Sequence, residues 1–254
     1  MTPRILAVIP ARGGSKGIPR KNLVPVAGHP LLHWTVAAAL RSRYAASGHL
    51  TVAVSTEDAE IAAAARGFGA RVIERPAELA EDTTPTEPVV RHAVESASAA
   101  GERPDAVLLL QATSPVRLPD TIDRAIAQFA STGVDSLVGV VPTPIYLWAP
   151  GPTPTDPPVA HYPWQARPRR QDLAPEQLRY RETGSLYLSR TALYAHPDPS
   201  ADNRLGGTIG MFVMDEVEGT DIDTPLDLAV ADALLTRLVA ERRVAVPAEA
   251  EEPQ

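Results

Sequence analysis

The apolar run Ile5-Leu6-Ala7-Val8-Ile9 passes without a break into Pro10-Ala11-Arg12-Gly13-Gly14-Ser15-Lys16-Gly17-Ile18-Pro19-Arg20-Lys21-Asn22. No other stretch limits the fold as much. A short apolar run without alternation suits a strand buried on both faces, as in a parallel sheet. The glycine pair behind it lets backbone N–H groups turn toward an anion, and the carboxyl edge of a parallel strand is where α/β sheets hold ligands. The loop therefore reads as a phosphate cradle. It has neither the Gly-x-x-x-x-Gly-Lys-Ser/Thr spacing of a P-loop nor the Gly-x-Gly-x-x-Gly spacing of a dinucleotide fingerprint.

The rest of the chain alternates short apolar runs with helix-like stretches, the pattern of an α/β fold. Strands are predicted at residues 5–9, 50–54, 71–73, 106–110, 136–141, 185–188 and 210–213, and helices at 31–40, 57–66, 119–130 and 225–242. Ser55 and Thr56 are candidate N-caps for the second helix, Pro119 a first-turn residue of the third, and Thr224 the cap of the last, with Asp227 in its first turn. The expected fold class is α/β, a mostly parallel central sheet flanked by helices, Rossmann-like, as one domain over residues 1–243. Between residues 142 and 177 the pattern breaks, and ten of the chain's 26 prolines fall there. That density excludes a regular helix or a central strand. The segment is either a long surface loop or, given Tyr146, Trp148, Tyr162 and Trp164, an ordered excursion that covers the site or meets a partner subunit. Residues 244–254 are expected to form a disordered tail.

The formal net charge of −7 opposes general nucleic-acid binding, which needs a basic surface. Its distribution is uneven: Arg4, Arg12, Lys16, Arg20, Lys21, Arg41 and Arg43 all precede Glu57, the first acidic residue. Such a positive pole attracts a small polyanion. Lys16 and Lys21 are the chain's two lysines, and compact ammonium charges suit phosphates. The absence of cysteine excludes disulfides and thiolate chemistry. No apolar run approaches the ~18 residues of a membrane span, and the cytoplasm is the expected location.

A second constellation is Thr220-Asp221-Ile222-Asp223-Thr224-Pro225. Carboxylates two residues apart in an extended segment project to the same side, and magnesium takes one or two protein carboxylates, completing its shell with water and phosphate oxygens. The same aspartates would serve equally as caps of the last helix. Gln111 ends a predicted strand, where ligand-reading amides sit, and Arg170, Arg179 and Arg181 carry the side chain for bidentate carboxylate or phosphate clamps. Among the histidines only His29 and His33 have ligand spacing, and without a third ligand they read as structural.

Taken in order, these segments resemble the acylneuraminate cytidylyltransferase family over nearly the whole chain, from Ile5 to about Ala233. The resemblance is carried by Ala11-Arg12-Gly13-Gly14-Ser15-Lys16-Gly17 with Lys21-Asn22, Ser55-Thr56, Arg75-Pro76 with Leu79-Ala80 and Asp82, Gln111 with Thr113-Ser114-Pro115, Arg170-Gln171, Gly184-Ser185-Leu186-Tyr187, and Asp221-Ile222-Asp223-Thr224-Pro225. Kdo cytidylyltransferases, which are related, lack the Gly-Gly-Ser-Lys-Gly run. The resemblance implies a CTP-dependent nucleotidyltransferase that uses Mg2+ and moves CMP to a small acidic acceptor, foremost a nonulosonic (sialic-type) acid, releasing pyrophosphate. It also implies a homodimer.

Residue by residue, the resemblance implies that Arg12 and Lys21 hold the triphosphate, and that Ala11, Gly13, Gly14, Ser15 and Lys16 line its cradle. Asn22 would read the cytosine, and Thr86 would join the nucleotide site. Gln111, Arg170, Arg181 and Thr183 would face the acceptor. Asp221 and Asp223 would hold magnesium, and with Arg12 and Lys21 they make up the expected catalytic set. Thr183 stands where the family usually has Asn, and the central segment is shorter and richer in proline, so the departures fall on the acceptor side. On the residues alone, a small phosphonate stays open as acceptor. So do two other classes, a metal-dependent nucleotide-sugar glycosyltransferase and a nucleotide-binding module without turnover.

Overall fold

Ile5 to Ile9 are all buried within β1 (Ile5–Pro10), as an apolar run without alternation requires. The computed structural model describes residues 2–247 except Lys16, Pro144, Ile145, Pro197, Pro199 and Ser200. After β1 come β2 (Pro25–Val26), β3 (His29–Pro30), α1 (Leu31–Leu40), α2 (Arg43–Ala46), β4 (Leu50–Thr56), α3 (Ala59–Gly67), β5 (Arg71–Glu74), α4 (Thr86–Ala99) and β6 (Ala106–Leu110). The second half holds α5 (Thr121–Thr132), β7 (Ser136–Thr143), β8 (Trp148–Ala149), β9 (Val159–Ala160), β10 (Arg179–Arg190), β11 (Ile209–Val213) and α6 (Pro225–Ala240).

The main sheet has the order β11-β7-β10-β6-β1-β4-β5. β1 pairs in parallel with β4 and β6, β4 with β5, and β7 with β11, while β10 runs antiparallel between β6 and β7. Every predicted strand belongs to this sheet. On one face, α1, α3 and α5 bury Leu32, Val36, Ile61, Ile126 and Phe129 against Ile5, Ala7, Val52, Leu108 and Leu188. On the other, α4 buries Val90, Ala93, Val94 and Ala97 against Leu6, Val8, Val107 and Leu109. A third cluster joins Ala231, Leu235 and Leu238 of α6 to Val26, Trp34 and Ile222.

α4 has no counterpart among the predicted helices. Its buried positions Val89, Val90, Ala93, Val94 and Ala97 follow helical spacing. Pro85 and Pro88 disguise its start, yet a proline in the first turn removes an N–H that has no helical partner anyway. α3 begins later than predicted, because Asp58 is its cap: its carboxylate accepts the N–H groups of Glu60 and Ile61, each at 3.0 Å. Ser55 and Thr56 instead end β4. Asp120 precedes α5, leaving Pro119 outside it. Thr224 caps α6 as expected, in a reciprocal box with Asp227.

Pro142 and Thr143 extend β7 and pair with Tyr180 and Arg179 of β10, although proline was expected to end strand structure from 142 onward. The last β7–β11 partners are Val140 and Val213, so Pro142 stands where one edge of β7 is open, a setting that proline tolerates. The excursion beyond contains the β8–β9 pair. Its aromatic rings touch: Tyr146 and Tyr162 have centroids 5.3 Å apart, Trp148 and Tyr162 6.0 Å, and Trp148 and Trp164 6.4 Å. At the C-terminal end, Val244 is buried and Arg41 donates to the carbonyls of Ala245, at 3.0 Å, and Val246. Folded structure thus continues past residue 243, where a disordered tail was expected to begin; residues 248–254 lie outside the described residues. No helix among the described residues is long and apolar enough to cross a membrane.

β7 and β10 meet closely at Gly139, where a Cβ would lie 2.9 Å from both the Leu186 carbonyl oxygen and Met214 Sδ. Gly139→Ala is therefore expected to destabilise the protein by about 1–3 kcal/mol through overpacking. Urea denaturation measures this, and an unchanged midpoint would contradict the close approach.

Candidate active site

The sheet grows from β1 through β4 to β5, and the chain then crosses back to place β6 on the other side of β1. Such a reversal leaves a crevice beyond the carboxyl ends of the strands. A cleft of about 440 Å³ lies there. Its walls are Arg12, Gly14, Ser15, Lys21 and Asn22 after β1, Arg75, Asp82 and Thr86 after β5, Gln111 to Thr113 after β6, and Asp221 with Asp223 before α6.

Local chemistry shapes the loop after β1. Ala11 N–H donates to the Ser55 carbonyl at 3.0 Å, carrying the β1–β4 ladder past Pro10. Gly13 N–H then turns to Glu57 Oε1 at 2.7 Å. A Cβ on Gly13 would collide with the Asp58 carboxylate, and one on Gly17 would stand 2.5 Å from the Asp223 carbonyl oxygen. Both ends of the loop are thus restricted to glycine by close approach. Asn22 is buried, and its Nδ2 donates to the Arg12 carbonyl at 3.0 Å.

Carboxylates meet the cations of this loop. Arg12 Nη1 donates to Asp82 Oδ1 at 2.6 Å, and Arg20, in the left-handed region at φ 56°, pairs with Asp58 and Glu60. Lys21 Nζ donates to the Ile222 carbonyl at 2.6 Å and lies 3.3 Å from Asp223 Oδ1. Arg75 is buried beside Ser55 Oγ, at 3.2 Å, and is 4.0 Å from Glu57. Burial above all lowers its pKa from the usual arginine value, with Glu57 opposing and Arg12 adding to the shift.

Of the expected nucleotide residues, Arg12, Gly14, Ser15, Lys21, Asn22 and Thr86 line the cleft, whereas Ala11 and Gly13 sit behind it and hold the loop. Lys16 lies outside the described residues. Thr86 opens α4, so a helix N-terminus borders the cleft and favours an anion. Asp221 and Asp223 both reach the cleft, and Asp221 Oδ1 accepts from Ser114 Oγ at 3.2 Å. An oxygen-only pair of carboxylates fits magnesium when phosphates supply further ligands. The described residues hold no group of three or more His, Asp or Glu suited to a metal, so any cation here would depend on such outside ligands.

The expected acceptor residues are not brought together. Gln111 lines the cleft, but Arg170 is exposed and pairs with Glu216 at 3.1 Å, and Arg181 donates to the Gly219 carbonyl at 3.0 Å. Thr183 is buried; its Oγ1 donates to the Gly139 carbonyl at 3.1 Å and accepts the Ser185 N–H at 3.1 Å. Its hydroxyl serves the irregular pairing of β10 with β7 rather than the cleft. Sequence reasoning gave no role to Glu57 or Asp58, and Arg75 and Asp82 entered it only as residues that carry the resemblance. A signal existed for the first two, which directly follow β4 and so share the carboxyl edge with the phosphate loop.

A model of the cytidylyltransferase family matches residues 6–144. The N-acylneuraminate cytidylyltransferase A of Danio rerio is 33% identical over 92% of this chain and 51% of its own length. The chain thus spans about half the length of that relative. The CMP-N,N'-diacetyllegionaminic acid synthase of Legionella pneumophila is 33% identical over 91% of this chain and 96% of its own. Among solved structures, a CMP:2-keto-3-deoxy-manno-octonic acid synthetase complexed with CTP superposes with a TM-score of 0.67 at 20% identity, covering 92% of this chain and 99% of that one. That likeness establishes the fold alone.

Asp58 joins the exit of the loop to α3. Its hydrogen bond from Arg20 lowers its pKa below 3.8, with the α3 amides adding to the shift and partial burial opposing it. A depressed carboxylate contributes stability that is present above the unfolded value and lost as pH falls through the folded one. The melting-temperature gap between wild type and Asp58→Asn should therefore be widest near neutrality and shrink below pH 3.8. A gap independent of pH would refute the ion pair.

Proposed function

The chain belongs to the cytidylyltransferase family, and on that premise we propose that it transfers CMP from CTP to a nonulosonic acid of the sialic, legionaminic or pseudaminic type, releasing pyrophosphate. The observation that carries this reading is the joining of Arg12, Ser15 and Lys21 with Asp221 and Asp223 in one cleft at the reversal of strand order. An acceptor oxygen attacks the α-phosphorus in line, and the bond to the bridging oxygen of pyrophosphate breaks. Arg12 and Lys21 neutralise the triphosphate, exchanging Asp82 and Asp223 for phosphate oxygens. Asn22 and Thr86 border the base, and Gln111 presents its amide to the acceptor. Asp221 and Asp223 would hold a magnesium ion, which would supply charge neutralisation for the triphosphate. Positioning and charge stabilisation, rather than covalent work by the protein, carry the catalysis.

The excursion supports a homodimer in this reading. Leu147, Trp148, Val159 and Trp164 are each more than half exposed or close to it, at 53%, 50%, 52% and 54%, and form an apolar surface unusual for a lone subunit. Arg170, which its own cleft does not use, would complete the acceptor pocket of the other subunit. The cytoplasm is the compartment this reading implies.

Pyrophosphate release should require CTP and be abolished by EDTA; equal turnover with ATP or GTP, or full activity in EDTA, contradicts the proposal. With several nonulosonic acids and small phosphonates competing in one assay, kcat/KM should favour a sugar acid. Turnover of a phosphonate alone would overturn the acceptor and keep the chemistry. Lys21→Ala should lower kcat by about two to three orders of magnitude, and Asp223→Asn should lower kcat without a matching loss of melting temperature. For the dimer, sedimentation at assay concentration decides: an active monomer removes it.

A further inference from the structure

A second cavity, of about 370 Å³, lies away from the cleft between α1, the start of α5 and the segment after α6. Trp34, Leu118, Pro119, Ile122 and Val244 give it apolar walls, and its two charged residues are Arg41 and Arg117. Arg117 is 2% exposed. Its partners are all neutral: Nη1 donates to Thr35 Oγ1 at 2.8 Å, and Nη2 to the carbonyls of Gln111 at 3.0 Å and Ser185 at 2.8 Å. Nε is buried without a partner. Glu218 compensates the charge only at longer range, because its carboxylate accepts from Leu118 N–H at 3.0 Å, Asp215 N–H at 3.0 Å and Thr121 Oγ1 at 2.5 Å. Burial pulls the guanidinium pKa down to about 10, the mark of a charge poorly compensated.

A buried charge without an anion, and a buried donor without an acceptor, both cost stability, and each such group calls for a missing partner. The cavity has the volume and the lining of a small-molecule site, mostly apolar with few polar groups. Arg41 adds a second positive charge and ties down the Ala245 and Val246 carbonyls beside it. We propose that this cavity is a binding site for a small amphipathic carboxylate, its apolar body against Trp34, Leu118 and Ile122 and its carboxylate taken by Arg117 and Arg41. The site is separate from the cleft and does not rest on the reaction proposed above.

The test is calorimetric titration of the full chain with octanoate and with octanamide, its uncharged counterpart. Octanoate should bind one per chain, and octanamide at least about tenfold more weakly, the loss expected for one charge-assisted hydrogen bond. Ala38→Trp and Ala245→Trp fill the cavity, the second from an exposed position after α6 that leaves the core untouched, and each should weaken octanoate at least about tenfold. Saturating CTP should leave binding in place. Absence of binding at millimolar octanoate, equal affinity for the amide, indifference to both tryptophans, or displacement by CTP would each overturn the site.

Discussion

The cleft depends on β1 being held between two parallel partners. Ile5 to Pro10 pairs with Leu50 to Ser55 on one side and Ile5 to Val8 with Ala106 to Leu109 on the other, so the backbone groups of a strand buried from Ile5 to Ile9 find acceptors and donors along both edges. Its side chains fill both layers of the core, with Leu6 and Val8 toward α4 and Ile5, Ala7 and Ile9 toward α1. A strand fixed in this way leaves the loop after Pro10 little freedom in where it starts. The Ala11 bond to Ser55 extends that constraint one residue further.

What the loop then does is decided by charge. A run of cations with no acid before Glu57 would repel itself if left unpaired. The fold answers from other segments: Glu57 and Asp58 at the end of β4 hold Gly13 and Arg20, Asp82 holds Arg12, and Asp223 approaches Lys21. These carboxylates engage the N–H donors and cations of the loop, which is thereby shaped around negative charge from distant segments. The pair of Lys21 with the exposed Asp223 is weakly held, and in the proposed function it would exchange for a triphosphate. Buried Arg75, by contrast, is fixed by Ser55 and serves as a permanent wall.

Much of this was legible in the sequence because it is local. Unbroken apolar runs located the seven strands of the sheet, Thr224 with Asp227 located the start of α6, and the Gly-Gly-cation loop located one wall of the cleft. α4 was hidden by Pro85 and Pro88, since a proline harmless in a first turn looks like a breaker in a linear reading. The surroundings of the expected acceptor residues were hidden differently. Arg170, Arg181 and Thr183 are the right residue types, but their partners, Glu216, the Gly219 carbonyl and the Gly139 carbonyl, lie some 40 positions away in the chain.

By itself, then, the sequence determined an α/β sheet, a glycine-rich cationic loop after its first strand and a pair of carboxylates before its last helix, because periodicity, glycine spacing and residue charge act over a few neighbours. Only the tertiary structure decided which way β10 runs, which acids neutralise the loop, that Thr183 turns into the sheet, and that Arg117 is enclosed with its Nε unmatched. Each of those depends on segments far apart in the chain meeting through long-range packing, and a reading of neighbours along the sequence carries no measure of that.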